Sequence, residues 1–174
     1  MTKSKTVIYN ANLITMDDEN KVIDNGYLVF VDGLIHALGT GVPEMDEFTD
    51  SLDAKGGLVT PGLINCHTHA PMSLFRGLGD DEPDRLQRYI FPLEAKYVSP
   101  EFVRTGTALS CVEMLLGGTT CFADMYFFEE EVAATASELG IRVLAGQTLM
   151  NRTAPDAATI EDAFTRAINF CEDW

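Results

Sequence analysis

Residues 63–77 read LINCHTHAPMSLFRG, and two of the three histidines of the chain, His67 and His69, stand there one residue apart. They follow directly on an apolar run. In an extended strand, residues i and i+2 project from the same face. If GLINCHTH is a strand, His67 and His69 point together to one side while Cys66 and Thr68 point away. Two imidazoles on one face can hold one metal ion through ring nitrogens at about 2.0–2.1 Å, and imidazole suits zinc and iron. Taken alone, the pair reads equally well as two loop histidines, because a tight zinc site has three or four protein ligands.

The surroundings favour a site. GGLVTPGLINCHTHA is a continuous apolar run, as expected of a strand buried on both faces. The histidines then lie at its C-terminal end, where parallel-sheet folds place their chemistry. The connection that follows, residues 70–98, is far longer than the usual 2–6-residue βα loop and is therefore a candidate functional segment.

Downstream, Ser99-Pro100-Glu101 offers an N-cap, a proline at the first helical position and an acid in the first turn. Phe102, Leu109, Val112 and Leu116 continue a helical face until Gly117-Gly118. TTCFADMYF reads as a strand, 129–139 as a helix closed by Gly140, IRVLAGQTLM as a strand and 159 onward as a helix. Such alternation argues for an α/β fold of βα units on a parallel sheet. Upstream, KTVIYNANLITMD and GYLVFVDGLIHALG are strand-like, and Asp32-Gly33 between two apolar runs is a two-residue hairpin signal. Two segments are expected, a β unit over 1–56 and βα units over 57–174. Residues 57–174 have room for about three or four units at ~30 residues each, whereas a closed eight-unit barrel needs about 250 residues. The expectation is a smaller open sheet or the front portion of a longer protein.

The balance of 12 basic against 27 acidic residues, a formal charge of −15, argues against nucleic acid or an anionic membrane surface as partner. Cys66, Cys111, Cys121 and Cys171 are widely spaced with no CxxC pair, which fits reduced thiols in the cytoplasm. The N-terminus shows no signal-peptide run, and no segment approaches the roughly 18 uninterrupted apolar residues of a membrane span.

The block GGLVTPGLINCHTHAPMSLFRGLGDD resembles the amidohydrolase superfamily, and within it the cytosine-deaminase and chlorohydrolase-like branch that includes methylthioadenosine and S-adenosylhomocysteine deaminases. The NG…VDGLIHALG hairpin, FPLE at 91–94, GGTTCFADMYF and ELGIRVLAG support the resemblance along essentially the whole chain. It implies the N-terminal part of a (β/α)8 barrel of the TIM type, preceded by a small β-sandwich segment. It implies a metal-dependent hydrolase with one divalent ion, zinc first and iron second, ligated by His67 and His69. In such enzymes the metal lowers the pKa of bound water, hydroxide attacks an electron-poor ring carbon, and ammonia leaves. Glu94 matches a carboxylate that binds substrate hydroxyls or the ring edge. The family often forms dimers or larger assemblies, so a homo-oligomer stays among the partners the resemblance allows.

Two departures keep the substrate open among purine nucleosides, pterins and triazines. Near Arg85-Leu86 the nucleoside deaminases usually carry Trp-Leu, and at Gln147 they can carry an arginine suited to a carboxylate tail. The family also brings two more histidines, an aspartate and a proton-shuttling glutamate, and no histidine follows His69 here. No catalytic acid or base is therefore assigned. The remaining ligands are expected beyond residue 174, and the fragment alone is expected to be inactive. A non-catalytic α/β binding or scaffold module, or one chain of a split enzyme, are the rival readings. Among other polar groups, Asp124 is a candidate to orient a ligand imidazole and Arg76 to cap loop carbonyls or pair with Asp80 or Asp81. His36 is expected at the surface. Cys66 and the methionines Met72, Met114 and Met125 are expected in the core.

Overall fold

The computed structural model of the chain describes residues 5–45 and 49–174. They form two compact units, Met1–Pro61 and Gly62–Trp174. The first is a mixed five-stranded sheet of β1 (Lys5–Ile14), β2 (Val22–Val31), β3 (Leu34–Thr40), β4 (Thr49–Asp53) and β5 (Leu58–Val59). Its order is β3-β2-β1-β4, with β5 also pairing β1. The β2–β3 hairpin turns on Asp32 and Gly33, at φ 52° and 79°. Positive φ at both central residues matches the right-handed twist of the flanking strands, and a short polar residue followed by glycine tolerates it. Val7 and Val29, paired across β1 and β2, anchor the buried face. His36 is exposed, as expected.

The second unit is a three-stranded parallel sheet in the order β6 (Leu63–Thr68), β7 (Thr119–Tyr126), β8 (Arg142–Gln147). The helices are α1 (Phe91–Tyr97), α2 (Pro100–Leu116), α3 (Glu129–Leu139) and α4 (Ile160–Asp173). The mixed α/β alternation read from the sequence is therefore present. A 3-10 turn at Ala70–Phe75 and a π-turn at Leu86–Ile90 occupy the long connection after β6. Helix boundaries follow local chemistry. The Ser99 side chain accepts from the Phe102 amide, Gly140 closes α3 at φ 74°, and Thr159 and Asp162 form a reciprocal capping box. Val103 and Cys111 of α2, Phe122 of β7, and Val132 and Ala136 of α3 form the centre of the core.

Several expectations are corrected here. The apolar run at 56–70 is two strands broken at Thr60-Pro61-Gly62, and among the described residues β6 has one strand neighbour, β7, and is not covered on both faces. Leu63 and Ile64 are 62% and 67% exposed, and Cys66 is exposed rather than packed. Apolar content marks a strand as suited to a double-sided core, but only stacked neighbours bury it. Met125 is also exposed, whereas Met72 and Met114 pack partly buried against the core.

On α2 the apolar face divides: Phe102 packs partly buried against the core, whereas Leu109, Val112 and Leu116 are exposed, Leu116 at 85%. The buried face of the helix carries Val103, Gly106, Thr107 and Cys111. Gly106 decides this, because a Cβ there would lie 2.5 Å from the Pro71 carbonyl oxygen. The close approach is tied down by Ser73 Oγ donating to the Gly106 carbonyl at 3.0 Å and Ser110 Oγ donating to the Ala70 carbonyl at 2.7 Å. Gly106→Ala is expected to lower stability by ~1–3 kcal/mol from overpacking, although alanine is the better helix former by about 1 kcal/mol. Chemical denaturation of the two proteins measures it, and a more stable variant would show that α2 has room at this contact.

Candidate metal and substrate site

His67 is exposed at the end of β6, and His69 stands half-buried one residue past Thr68. The strand alternation brings them to one side, with ring centroids 5.2 Å apart and planes at 85°. Both line a small cleft together with Ala123 and Met125. His69 Nδ1 lies 2.6 Å from the Met125 carbonyl oxygen. A carbonyl only accepts, so Nδ1 carries the hydrogen and Nε2 is left with its lone pair free for a metal. The donor set therefore fits a zinc- or iron-like ion, with two imidazoles and one of them oriented from behind. Among the described residues, no group of three or more His, Cys, Asp or Glu is placed to hold a metal.

Asp124 does not orient an imidazole directly. It is buried, and its Oδ1 accepts from Thr68 Oγ1 at 2.5 Å and from the Ala70 amide at 2.7 Å, the residues on either side of His69. The Met125 carbonyl takes the orienting position because the peptide at the end of β7 is the group that the β6–β7 pairing brings to His69. Arg76 is corrected too. It makes a two-pronged ion pair with Glu113 at 2.6 and 2.9 Å, while Asp80 pairs with Arg85 at 2.9 Å.

On the other side of His69 lies a cavity of about 550 Å³, whose walls include Met72, Ile90, Phe91, Glu94, Tyr126 and Gln147. Glu94, on α1, is the buried carboxylate of this cavity. Burial raises its pKa above the ordinary carboxylate value, opposed by the neighbouring Tyr126 hydroxyl and by the charges of Arg152 and His69. Burial and the neighbouring Glu94 push the Tyr126 phenol well above its usual range. The cavity combines an apolar body with a few convergent polar groups, the composition expected of a small-molecule pocket.

The cavity wall after β8 is pinned by Asp156. Its Oδ2 accepts from Gln147 Nε2 at 2.7 Å and from the Phe128 amide at 2.9 Å, with Arg166 Nε at 3.6 Å. Phe128 sits at φ 55° with the Arg166 guanidinium 4.9 Å over its ring, and Arg166 also pairs with Glu130. Gln147 is thus committed to the scaffold through its amide nitrogen. Arg152 stacks 4.3 Å over Phe91 near the same cavity.

Tyr126, Arg152, Asp156 and Glu129 were not singled out from the sequence. A signal existed for Tyr126, since Phe122, Asp124 and Tyr126 alternate along β7 and all three are buried. Arg152 and Asp156 lie in an irregular loop, where no periodicity points at a partner.

Residues 58–174 match the amidohydrolase family. The chain is 43% identical, over 98% of its length, to a 5-methylthioadenosine/S-adenosylhomocysteine deaminase of Thermodesulfovibrio yellowstonii, of which it covers 40%. It is 39% identical over 97% of its length to a 5'-deoxyadenosine deaminase of Methanococcoides burtonii, covering 38% of it. The zinc-bound crystal structure of an adenosine deaminase from Xanthomonas campestris superposes with a TM-score of 0.82 at 32% identity, over 98% of this chain and 40% of that one. The chain thus spans about two fifths of the length of the curated relatives it matches.

Proposed function

The chain belongs to the amidohydrolase family, and from that premise we propose that the full-length protein hydrolytically deaminates an amino-substituted nitrogen heterocycle with the help of one divalent metal ion. The observation that carries the reading is the position of His69. It shares one cleft with His67 and the adjoining cavity with the buried carboxylate Glu94. A metal at the histidine pair would therefore stand at the edge of the cavity that takes the ring.

In this reading the two units are the β-sandwich segment and the first βα units of a (β/α)8 barrel, with remaining strands and ligands in the portion that the relatives have beyond the matched part. His67 and His69 hold the ion, zinc before iron, through ring nitrogens, and the Met125 carbonyl keeps the His69 ring in register. When bound, an ion of this kind supplies a hydrolytic nucleophile at neutral pH and polarises the bond under attack. Glu94 binds and orients the substrate through its hydroxyls or ring edge, with the Tyr126 hydroxyl steadying the carboxylate. The apolar walls exclude water from the ring face. A purine nucleoside is the first substrate class to test, because the relatives are named for 5-methylthioadenosine, S-adenosylhomocysteine and 5'-deoxyadenosine. The four unpaired thiols are in keeping with a cytoplasmic enzyme, and among the described residues no helix is long and apolar enough to cross a membrane.

The test is elemental analysis of the full-length protein together with an ammonia-release screen over adenosine-type nucleosides, pterins and aminotriazines. Stoichiometric zinc or iron with turnover of one class is expected. A metal-free protein that releases no ammonia would return the chain to the binding-module class. Glu94→Gln is expected to lower kcat/KM about 10- to 100-fold, mostly through KM, because it removes a charge-assisted hydrogen bond to substrate. Unchanged steady-state kinetics would take Glu94 out of the substrate site.

A further inference from the structure

Glu129 is fully buried at the first turn of α3, and the hydrolytic reading does not use it. Its carboxyl faces Asp124. At ordinary hydrogen-bond geometry both Glu129 oxygens and Asp124 Oδ2 lack a partner among the described residues. Two buried carboxyl groups side by side cannot both ionise cheaply, and a buried oxygen without a hydrogen bond is costly as well. One proton between them removes the like-charge repulsion and pairs two of the three oxygens. It belongs on Glu129, whose two oxygens meet no other donor, whereas Asp124 Oδ1 already faces the Thr68 hydroxyl and the Ala70 amide.

We propose that Glu129 is a positioning residue for the metal pair: it donates a hydrogen bond from its carboxyl to Asp124 Oδ2, so that Asp124 Oδ1 stays aimed at Thr68 and Ala70 on either side of His69. The relay runs from α3 through the β7 strand to the β6 terminus, and its effect is felt at the ring of His69. Burial, and then the charge of Asp124, push the Glu129 carboxyl up to about 9, in keeping with a neutral donor at physiological pH. Asp124 also faces Cys111 of α2, whose thiol is pushed up to about 11 by burial first and Asp124 second.

This inference rests on His67 and His69 being the metal ligands, and the experiment separates the two. Zinc affinity of the full-length protein is measured by competition with a chelating dye for wild type, Glu129→Gln, Glu129→Leu and a His67→Ala control. The infrared spectrum of the wild type is searched for the carbonyl stretch of a buried protonated carboxylic acid. Glutamine keeps an uncharged donor at the same place and is expected to hold zinc within about threefold of wild type. Leucine removes the donor and is expected to weaken zinc about 10- to 100-fold, the usual range for a group that supports a ligand from behind. The infrared band should be absent from Glu129→Gln. Equal zinc affinity in the leucine variant, or glutamine as damaging as leucine, would overturn the positioning role. A wild type without the protonated-carboxyl band would overturn the hydrogen bond, and this readout stands even if the leucine variant fails to fold. Zinc affinity unaffected by His67→Ala would instead sink the ligand assignment, while the band would still report on Glu129.

Discussion

Replacing His69 with alanine in the full-length protein is expected to abolish stoichiometric metal and to reduce turnover by at least ~10³-fold, since a catalytic metal contributes several kcal/mol to the barrier and each 1.36 kcal/mol is tenfold in rate. The size of the effect follows from what His69 does in the structure. It is the histidine whose ring is oriented by a backbone carbonyl, at 2.6 Å, and it alone of the pair borders the cavity that holds Glu94. His67 is more exposed and has no such partner ring-side among its described hydrogen bonds, its own amide meeting only Asn65 Oδ1 at 3.3 Å. His67→Ala should therefore lose metal as well, whereas a substitution at exposed His36 should leave metal content untouched. Metal analysis beside an ammonia assay checks all three. A His69→Ala protein that retains both metal and rate would remove the pair from the centre and leave it as a feature of the β6 terminus.

The second large effect concerns stability. The Glu129 carboxyl is held near 9 in the folded protein by burial and by the acidic groups that face it, Asp124 from β7 and Glu130 from α3. In the unfolded chain it titrates near the ordinary value of 4.5. Between these two values the folded state holds a proton that the unfolded state has released, so unfolding loses free energy as pH rises. The contribution is fully present below the unfolded pKa and is lost on the way to the folded one. The slope is at most ~1.4 kcal/mol per pH unit, or up to ~4 kcal/mol between pH 5 and pH 8. Glu129→Gln has nothing to titrate, so its stability should fall less steeply over this window, and its advantage over wild type should grow from pH 5 to pH 8. Denaturant unfolding of both proteins across the window measures the difference. Parallel pH profiles would mean that Glu129 ionises normally in the folded protein, which would also take its proton away from the Asp124 contact.

Much of the chain was legible where one short segment decides one element. The Asp32-Gly33 turn, the Ser99-Pro100 start of α2 and the Gly140 end of α3 appear where local chemistry puts them. The buried face of α2 was not legible, because small residues pack there and only Gly106 lets the helix backbone meet Pro71. β6 was read as doubly buried from apolar content, although burial depends on what stacks against the strand. Asp124 was recognised as a polar group near the histidines, but its partners, Thr68 and the Ala70 amide, lie more than fifty residues away along the chain.

By itself the sequence determined the alternation of strands and helices, the hairpin turn, and that two imidazoles one residue apart on a strand share a face, because these depend on backbone periods of two and 3.6 residues and on side chains near in the chain. Only the tertiary structure decided that a Met125 carbonyl sets the His69 ring, that Glu94 is buried in the cavity His69 borders, and that Glu129 lies against Asp124. Those relations come from parallel pairing of β6 with β7 and the packing of α1 and α3, which bring distant groups within a few ångströms and remove them from water. Burial then changes their chemistry, raising a carboxyl that local sequence would leave ionised.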